Sequence, residues 1–440
     1  MYDFIRISCC VPAIEVSDVT GNCEKIESQL RQAAKAGSTV AVFPELCLTG
    51  YTCQDLFFQN TLLEDCQSAI RHLAAVTKEL GIIAIIGAPI QLRGQLYNCA
   101  FILNEGEIQG IVPKTYMPNY SEFYEKRWFS TAEDWNSHGD CLDDLPELHI
   151  TSPENGLPYA VEVGSHVFTL PDGTRFGIEL CEDLWTPLPP STMLCLSGAE
   201  LIFNLSASNE TIAKRDYRRQ LVSQQSARCL CGYVYVSAGC TESTQDLVFS
   251  GHSMIAENGG ILAENQKLLD TDYVLTMDID LGRIRADRMK NRSFADCARV
   301  NRAAVQTFPL SSFHLSEDQE GSDGSLHPIS KLPFVPSSRA DRQQRCRDIF
   351  EMQVAGLKKR LTVTHSKAVI GVSGGLDSTL ALLVAVEAMA QLGRPKTDVI
   401  GITMPCFGTT DRTFNNSLEL MKTLGVTSVT IPIAAAVEQH

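Results

Sequence analysis

Three reactive side chains stand at the same kind of place in this sequence, just after a short apolar run. Glu45 follows Val40–Phe43 and Pro44, Lys114 follows Ile108–Pro113, and Cys181 follows Phe176–Leu180. Residues at strand ends converge in space even when roughly 70 positions apart in sequence, which is how α/β folds assemble sites. A nucleophilic thiol needs a base for its proton and a partner for the oxyanion of a tetrahedral intermediate. Glu45 suits the first task, and Lys114 suits the second while also balancing thiolate charge. Cys181 is flanked by Glu179, Glu182 and Asp183. Carboxylates close to a thiol raise its pKa, so Lys114 is the cation expected to offset them. A Cys–His pair is less attractive, because nothing in the spacing places any of the nine histidines beside Cys181.

A second constellation is Gly371, Val372, Ser373, Gly374, Gly375, Leu376, Asp377 and Ser378. It lies between the apolar run Ala368–Val372 and the helix-like run Thr379–Met389. Strand, Gly-rich turn and helix put backbone N–H groups and a helix N-terminus around a phosphate. Ser373 and Ser378 add hydroxyl donors, and Asp377 is the candidate ligand for Mg²⁺. The run lacks the Gly-Lys-Ser/Thr ending of a Walker A loop. Gly371 to Gly375 also fits the G-x-S-x-G hydrolase elbow, but that reading requires an acid and then a histidine downstream, and only His440 follows Ser373. Phosphate binding is the preferred reading.

The elements that must position these residues follow from periodicity. The first ~295 residues alternate short apolar strands with amphipathic helices, as an α/β layer fold does. Expected strands are Phe4–Cys9, Thr39–Phe43, Ile82–Gly87, Ala100–Leu103, Phe176–Leu180, Leu201–Leu205, Gly232–Ser237 and Val274–Asp278. Expected helices are Asn22–Ala36, Asn60–Leu80 and one within Asn204–Arg228 that ends near Cys229. The composition then shifts. Ser316–Ser325 is acidic and Ser/Gly-rich, with Pro328, Pro333 and Pro336 close behind, which reads as a connector. Arg339–Arg360 resumes a helical pattern, and Val399–Thr403 and Ser428–Ile433 are further strands.

With these motifs in place, the chain resembles the glutamine-dependent NAD⁺ synthetases along essentially its whole length. Phe43 to Tyr51 (FPELCLTGY), Pro113 to Phe129 (PKTYMPNYSEFYEKRWF) and Gly177 to Trp185 (GIELCEDLW) look like that family's nitrilase-type amidase. Ser373 to Ser378 resembles the SGGxDS pyrophosphate loop of ATP pyrophosphatases, and Gly401 to Asp411 resembles a second nucleotide-side loop. There, Cys406 stands where glycine is expected, which puts the local backbone in question. The resemblance implies an α/β fold: a nitrilase-type α-β-β-α sandwich over 1–297, a Pro/Ser-rich linker over 298–338, and the start of a doubly wound parallel sheet over 339–440. It carries a catalytic triad onto Glu45, Lys114 and Cys181 and a supporting glutamate onto Glu125. It carries glutamine contacts onto Tyr120, Ser208 and Lys214, the last pairing with the amino-acid carboxylate. Taken singly, each has a plainer reading: Glu45 a helix-end charge, Cys181 a structural thiol, Tyr120 and Tyr124 half-buried packing residues, Ser208 a cap of a Thr211–Arg219 helix. Their conjunction in order and spacing favours the functional one.

The implied reaction is hydrolysis of glutamine at Cys181, passage of ammonia to a second site, and ATP-dependent amidation of nicotinic acid adenine dinucleotide through an adenylate. ATP and Mg²⁺ take part as substrate and cofactor, with neither a tightly bound organic cofactor nor a structural metal. The family's synthetase domain continues beyond the equivalent of His440, so the resemblance implies either a fragment or a chain that has lost that chemistry. A stand-alone amidase with a vestigial nucleotide domain, and a nucleotide-sensing scaffold without turnover, are the rival readings. A net charge of −15 and a pI near 5.1 argue against general nucleic-acid or anionic-membrane binding. The start of the chain lacks a signal-peptide pattern, and no uncharged run approaches a membrane span. Sixteen cysteines without a Cys-x-x-Cys fit a reducing setting. A cytoplasmic setting is therefore expected, and the resemblance implies a homo-oligomer.

Overall fold

A computed structural model describes residues 3–136, 147–151, 158–243, 245–266, 268–301, 305–310, 324–336 and 338–439. Most of the acidic run expected of the connector, residues 316–323, lies outside them, as does His440. The chain divides into two compact units, 1–328 and 329–440.

The first unit is a four-layer sandwich. One sheet has six strands in the order Tyr273–Asp280, Phe4–Val11, Val40–Val42, Ile83–Leu92, Gln95–Asn104, Glu107–Pro113. The other has seven, with Arg175–Leu180, Leu201–Ser206 and Gly232–Ser237 running parallel at its centre. Alternation along the strands explains the layering, since successive side chains point to opposite faces. Ile5, Ile7 and Cys9, Val40 and Val42, and Ile83 and Ile85 meet Ile178, Leu180, Phe203, Leu205, Val234 and Val236 in a core between the sheets. The residues of opposite parity, such as Cys10, Ala41, Phe43, Ala84 and Ile86, face outward under helices Val19–Lys35 and Asn60–Leu80. Val19, Cys23, Ile26, Leu30 and Ala33 bury one stripe of the first helix at three- and four-residue spacing. Pro190–Leu196 and Lys214–Cys229 cover the second sheet in the same way.

Every strand anticipated over 4–278 is present, several of them longer than expected. The hairpin Ile83–Leu92/Gln95–Asn104 extends ten residues on each side. The strands Met254–Glu257 and Gly260–Glu264 and helices Leu281–Lys290 and Arg292–Val300 were not anticipated. The helix foreseen at 211–219 begins only at Lys214. Its N-cap is Ala213, with a left-handed φ of 67°, so Ser208 does not cap it.

In the second unit, Ala368–Gly371, Val399–Thr403 and Thr427–Thr430 form a three-stranded parallel sheet in chain order. Helices Arg339–Thr364, Leu376–Gln391 and Asp411–Leu424 accompany it, and Val354, Leu361, Val372, Leu382, Ala385, Met389 and Met421 share one core.

One close approach ties the first sheet to the Glu45 turn. Gly87, inside Ile83–Leu92, lies under that turn so tightly that a Cβ there would sit 2.4 Å from Leu46 N and 2.5 Å from Pro44 O. Backbone cannot yield as a side chain can. Gly87→Ala is therefore expected to lower stability by about 1–3 kcal/mol, as overpacking does. The measurement is the urea unfolding midpoint; an unchanged midpoint would show that the Glu45 turn yields freely.

Candidate active site

The parallel strands of the two sheets deliver their C-terminal ends to one rim. Glu45 leaves Val40–Val42 and Cys181 leaves Arg175–Leu180, while Ala207 leaves Leu201–Ser206. Leu205 pairs with Leu180, which brings residues 206–207 beside Cys181. The two sheets touch here, for the Glu45 N–H donates to Ser206 O at 3.3 Å. Lys114 follows the edge strand Glu107–Pro113, and its N–H donates to Asn98 O at 2.9 Å.

The side chains form a closed network. Lys114 Nζ donates to Glu45 Oε1 at 2.6 Å and to Glu125 Oε1 and Oε2 at 2.8 and 2.9 Å. Asn98 Nδ2 donates to Glu45 Oε1 at 2.7 Å, and the Ala207 N–H donates to Oε2 at 2.9 Å. Glu45 and Lys114 are wholly buried, and Glu125 nearly so. Burial works against charge on Lys114, but Glu125 and Glu45 outweigh it and hold the ammonium pKa well above its ordinary value. Burial pushes Glu125 up to about 7 despite Lys114. The structure thus brings all four sequence-predicted catalytic residues to one place.

Cys181 sits on a strand-to-turn corner with a left-handed φ of 39°, a strained conformation for a residue with a side chain. Its thiol is pushed up to about 12, first by burial and then by Glu45; Lys114 and the Ala207 N–H pull the other way. The flanking carboxylates act differently from the sequence expectation. Glu179 accepts from Ser191 N at 2.7 Å and pairs with the Tyr233 hydroxyl, Glu182 accepts from the Tyr120 hydroxyl, and Asp183 accepts backbone N–H groups. The carboxylates that bear most on the thiol are the distant-in-sequence Glu45 and Glu125.

The expected substrate contacts surround this centre. Tyr120 is 54% exposed and donates to Glu182 Oε1 at 2.9 Å. Ser208 is buried, and its Oγ accepts from Arg218 at 3.2 Å. Lys214 donates to Asn209 Oδ1 and lies 5.5 and 5.4 Å from the rings of Phe123 and Trp185. Burial lowers its pKa. Sequence reasoning missed four supporting residues: Asn98, Tyr51, Glu242 and Arg218. The Tyr51 hydroxyl donates to Glu125 at 2.6 Å, and buried Glu242 accepts from the Tyr51 and Thr52 N–H groups. Fully buried Arg218 bonds Ser208, Glu210, Asn209 O and His252. Only Tyr51 carried a signal, as the last residue of the Phe43–Tyr51 motif.

In the second unit, Ser373 to Gly375 form the turn after the strand Ala368–Gly371, and Leu376 to Ser378 begin the helix Leu376–Gln391. The Ser373 N–H donates to Ser378 Oγ at 3.2 Å and the Gly375 N–H to Ser373 Oγ at 3.3 Å. Gly374 has φ of 83°, and a Cβ there would meet Thr413 O at 2.3 Å, so this position requires glycine. Asp377 is exposed in the first helical turn. Cys406 is not among the residues with positive φ; its N–H donates to Thr409 Oγ1 at 2.9 Å, so cysteine fits where glycine was expected.

Comparison with known proteins adds to this geometry. Residues 6–289 match the carbon–nitrogen hydrolase family and residues 349–440 match NAD synthase. The chain is 38% identical over 434 residues to a glutamine-dependent NAD(+) synthetase of Mycobacterium leprae, and 29% identical over 421 residues to one of Thermotoga maritima. These alignments take in 98% and 95% of this chain but 62% and 63% of the relatives, so the chain spans less than two thirds of their length. A glutamine-dependent NAD(+) synthetase structure from Cytophaga hutchinsonii matches with a TM-score of 0.53 at 20% identity, over 99% of this chain and 66% of that one. A carbon–nitrogen hydrolase from Helicobacter pylori matches with 0.52 at 19%, over 68% of this chain and 97% of that one. At such identities the likeness to these structures is one of fold.

A thiol raised to about 12 is neutral in the resting site. The thiolate absorbance near ~240 nm, taken as the difference between the parent chain and Cys181→Ser, is expected to show no step below about pH 9. A step in the neutral range would mean that Lys114 outweighs both burial and Glu45.

Proposed function

The chain belongs to the carbon–nitrogen hydrolase family, and from that premise we propose that residues 1–297 hydrolyse the side-chain amide of glutamine. Their ammonia supplies an NAD⁺-forming site to which residues 339–440 contribute, with 298–338 as the connector. The observation that carries this reading is buried Lys114 held between Glu45 and Glu125, with the Cys181 thiol in their field.

Glu45 takes the thiol proton as Sγ attacks the amide carbon, and the carbonyl electron pair moves onto oxygen. Because the thiol is neutral at rest, proton transfer accompanies attack. Lys114 stabilises the oxyanion with a charge already oriented and dry. Glu45 then passes the proton to the amide nitrogen, ammonia leaves, and a γ-glutamyl thioester remains. Water attacks the thioester as Glu45 removes its proton; glutamate departs and the proton returns to Sγ. Glu125 keeps Lys114 in place. Lys214 pairs with the α-carboxylate of glutamine, Ser208 donates to its amino-acid end, and the Tyr120 hydroxyl, whose proton goes to Glu182, contacts glutamine as an acceptor.

At the second site the N–H groups and hydroxyls of Ser373 to Ser378 hold the phosphates of ATP. A carboxylate oxygen of nicotinic acid adenine dinucleotide attacks the α-phosphorus and expels pyrophosphate; ammonia then displaces AMP. The Asp377 carboxylate has no hydrogen bond or ion pair among the described residues, so it suits Mg²⁺, which usually takes one or two carboxylates alongside substrate phosphates. When bound, the ion neutralises phosphate charge. The same reading makes the enzyme a cytoplasmic homo-oligomer, and its net charge of −15 fits neither nucleic acid nor an anionic membrane as partner.

The test is ammonia release from glutamine by the purified chain. Cys181→Ala is expected to lower it by at least about a thousandfold. Substantial residual turnover would reject the nucleophile. Asp377→Ala is expected to weaken Mg-ATP binding by roughly tenfold, the loss of one charge-assisted ligand, while glutamine hydrolysis stays at the parent rate. Equal ATP affinity in a calorimetric titration would remove Asp377 from the metal.

A further inference from the structure

Asp183 lies two residues beyond Cys181 and is 1% exposed. Its carboxylate receives backbone N–H groups from two separate chain segments: Leu180 N at 3.0 Å, Tyr116 N at 2.8 Å and Thr115 N at 3.5 Å. Leu180 immediately precedes the nucleophile in the seven-stranded sheet, while Thr115 and Tyr116 immediately follow Lys114 at the exit of the six-stranded one. An acid that merely closed its own turn would need only the Leu180 N–H. The reach to 115 and 116 crosses 67 or 68 sequence positions and joins the two strand ends whose side chains must meet.

We propose that Asp183 is a positioning residue that clamps the Cys181 corner to the Lys114 strand exit and so sets the separation of nucleophile and cation. The inference rests on the amidohydrolase reading of this site. Two features make the clamp necessary. The Cys181 corner has a left-handed φ, which persists only when surrounding bonds hold it. Lys114, for its part, gives its side-chain hydrogen bonds to Glu45 and Glu125 and, among the described residues, none to the strand Arg175–Leu180 that leads to the nucleophile. Asparagine has the same size but one acceptor oxygen. Its amide group would turn N–H toward N–H at either Leu180 or Tyr116, releasing one side of the clamp.

The test compares the full chain with Asp183→Asn. Glutamine hydrolysis yields kcat and KM, and thermal unfolding reports folding. Alkylation of Cys181 by iodoacetamide, read on its peptide by mass spectrometry across pH, requires no substrate. The variant is expected to lose roughly a hundredfold in kcat, the cost of about 1 Å of misplacement, with KM changed by less than about threefold. Cys181 is expected to alkylate more slowly, because a receding Lys114 no longer favours the thiolate. Faster alkylation at every pH would mean that Asp183 only keeps the corner folded and covered. Unchanged kcat and alkylation would mean that it positions nothing; either result overturns the proposal. Should Asp183→Asn fail to fold, a backbone ester in place of the Tyr116 N–H deletes one bond of the clamp, and the same slowing is expected. If the parent chain does not hydrolyse glutamine, the functional reading fails, while the alkylation arm still decides the role of Asp183.

Discussion

A lysine ammonium without solvent contact is the constraint around which the first unit is organised. An isolated buried charge is far too costly to keep, so Lys114 requires carboxylates at hydrogen-bond distance, and those carboxylates need donors of their own. Glu45 meets that need with Asn98 and the Ala207 N–H, and Glu125 meets it with Tyr51. Removing one member of such a group typically costs about 3–5 kcal/mol, because the partner is left buried and unpaired. The network is therefore all or nothing, and it gathers the exits of three strands, Val40–Val42, Glu107–Pro113 and Leu201–Ser206.

That demand explains why two sheets are used rather than one. Glu45, Asn98 and Lys114 come from the six-stranded sheet, while Cys181 and Ala207 come from the seven-stranded one. The aliphatic layer between the sheets sets their separation, and the parallel strands on each side bring their ends to the same rim. Close packing passes directly into chemistry: Gly87 has no side chain because the Glu45 turn lies on it. The outer helices serve the site as well as the core. Lys214–Cys229 starts with Lys214 beside the rings of Phe123 and Trp185 and buries Arg218 one turn later, where it donates to Ser208.

The second unit obeys a different logic. Its strand-to-helix turn is shaped by backbone rather than by side chains. Gly374, with its positive φ and no Cβ, lets the turn lie directly against Thr413 O. Three parallel strands and their helices are enough to form the turn.

Much of this protein was legible in its sequence. Period-two runs of Ile, Val and Phe located the central strands, and strand-end positions singled out Glu45, Lys114 and Cys181, because local pattern and local chemistry agree there. The Ser373 to Ser378 turn was legible for the same reason. Other features were not. The helices Leu281–Lys290 and Arg292–Val300 bury only Leu281 and Ile284 between them, and the plainer alternative for Ser208, a helix cap, fails because the helix starts at Lys214 behind Ala213. The effect of the acids around Cys181 was misjudged because adjacency in sequence says nothing of direction: Asp183 turns to backbone N–H groups and Glu179 to Ser191 and Tyr233. The sequence by itself determined which elements form and which reactive groups stand at their ends. Only the tertiary structure decided which carboxylate meets which cation, because hydrogen bonds between residues as far apart as Glu45 and Ala207 exist only once two sheets have packed.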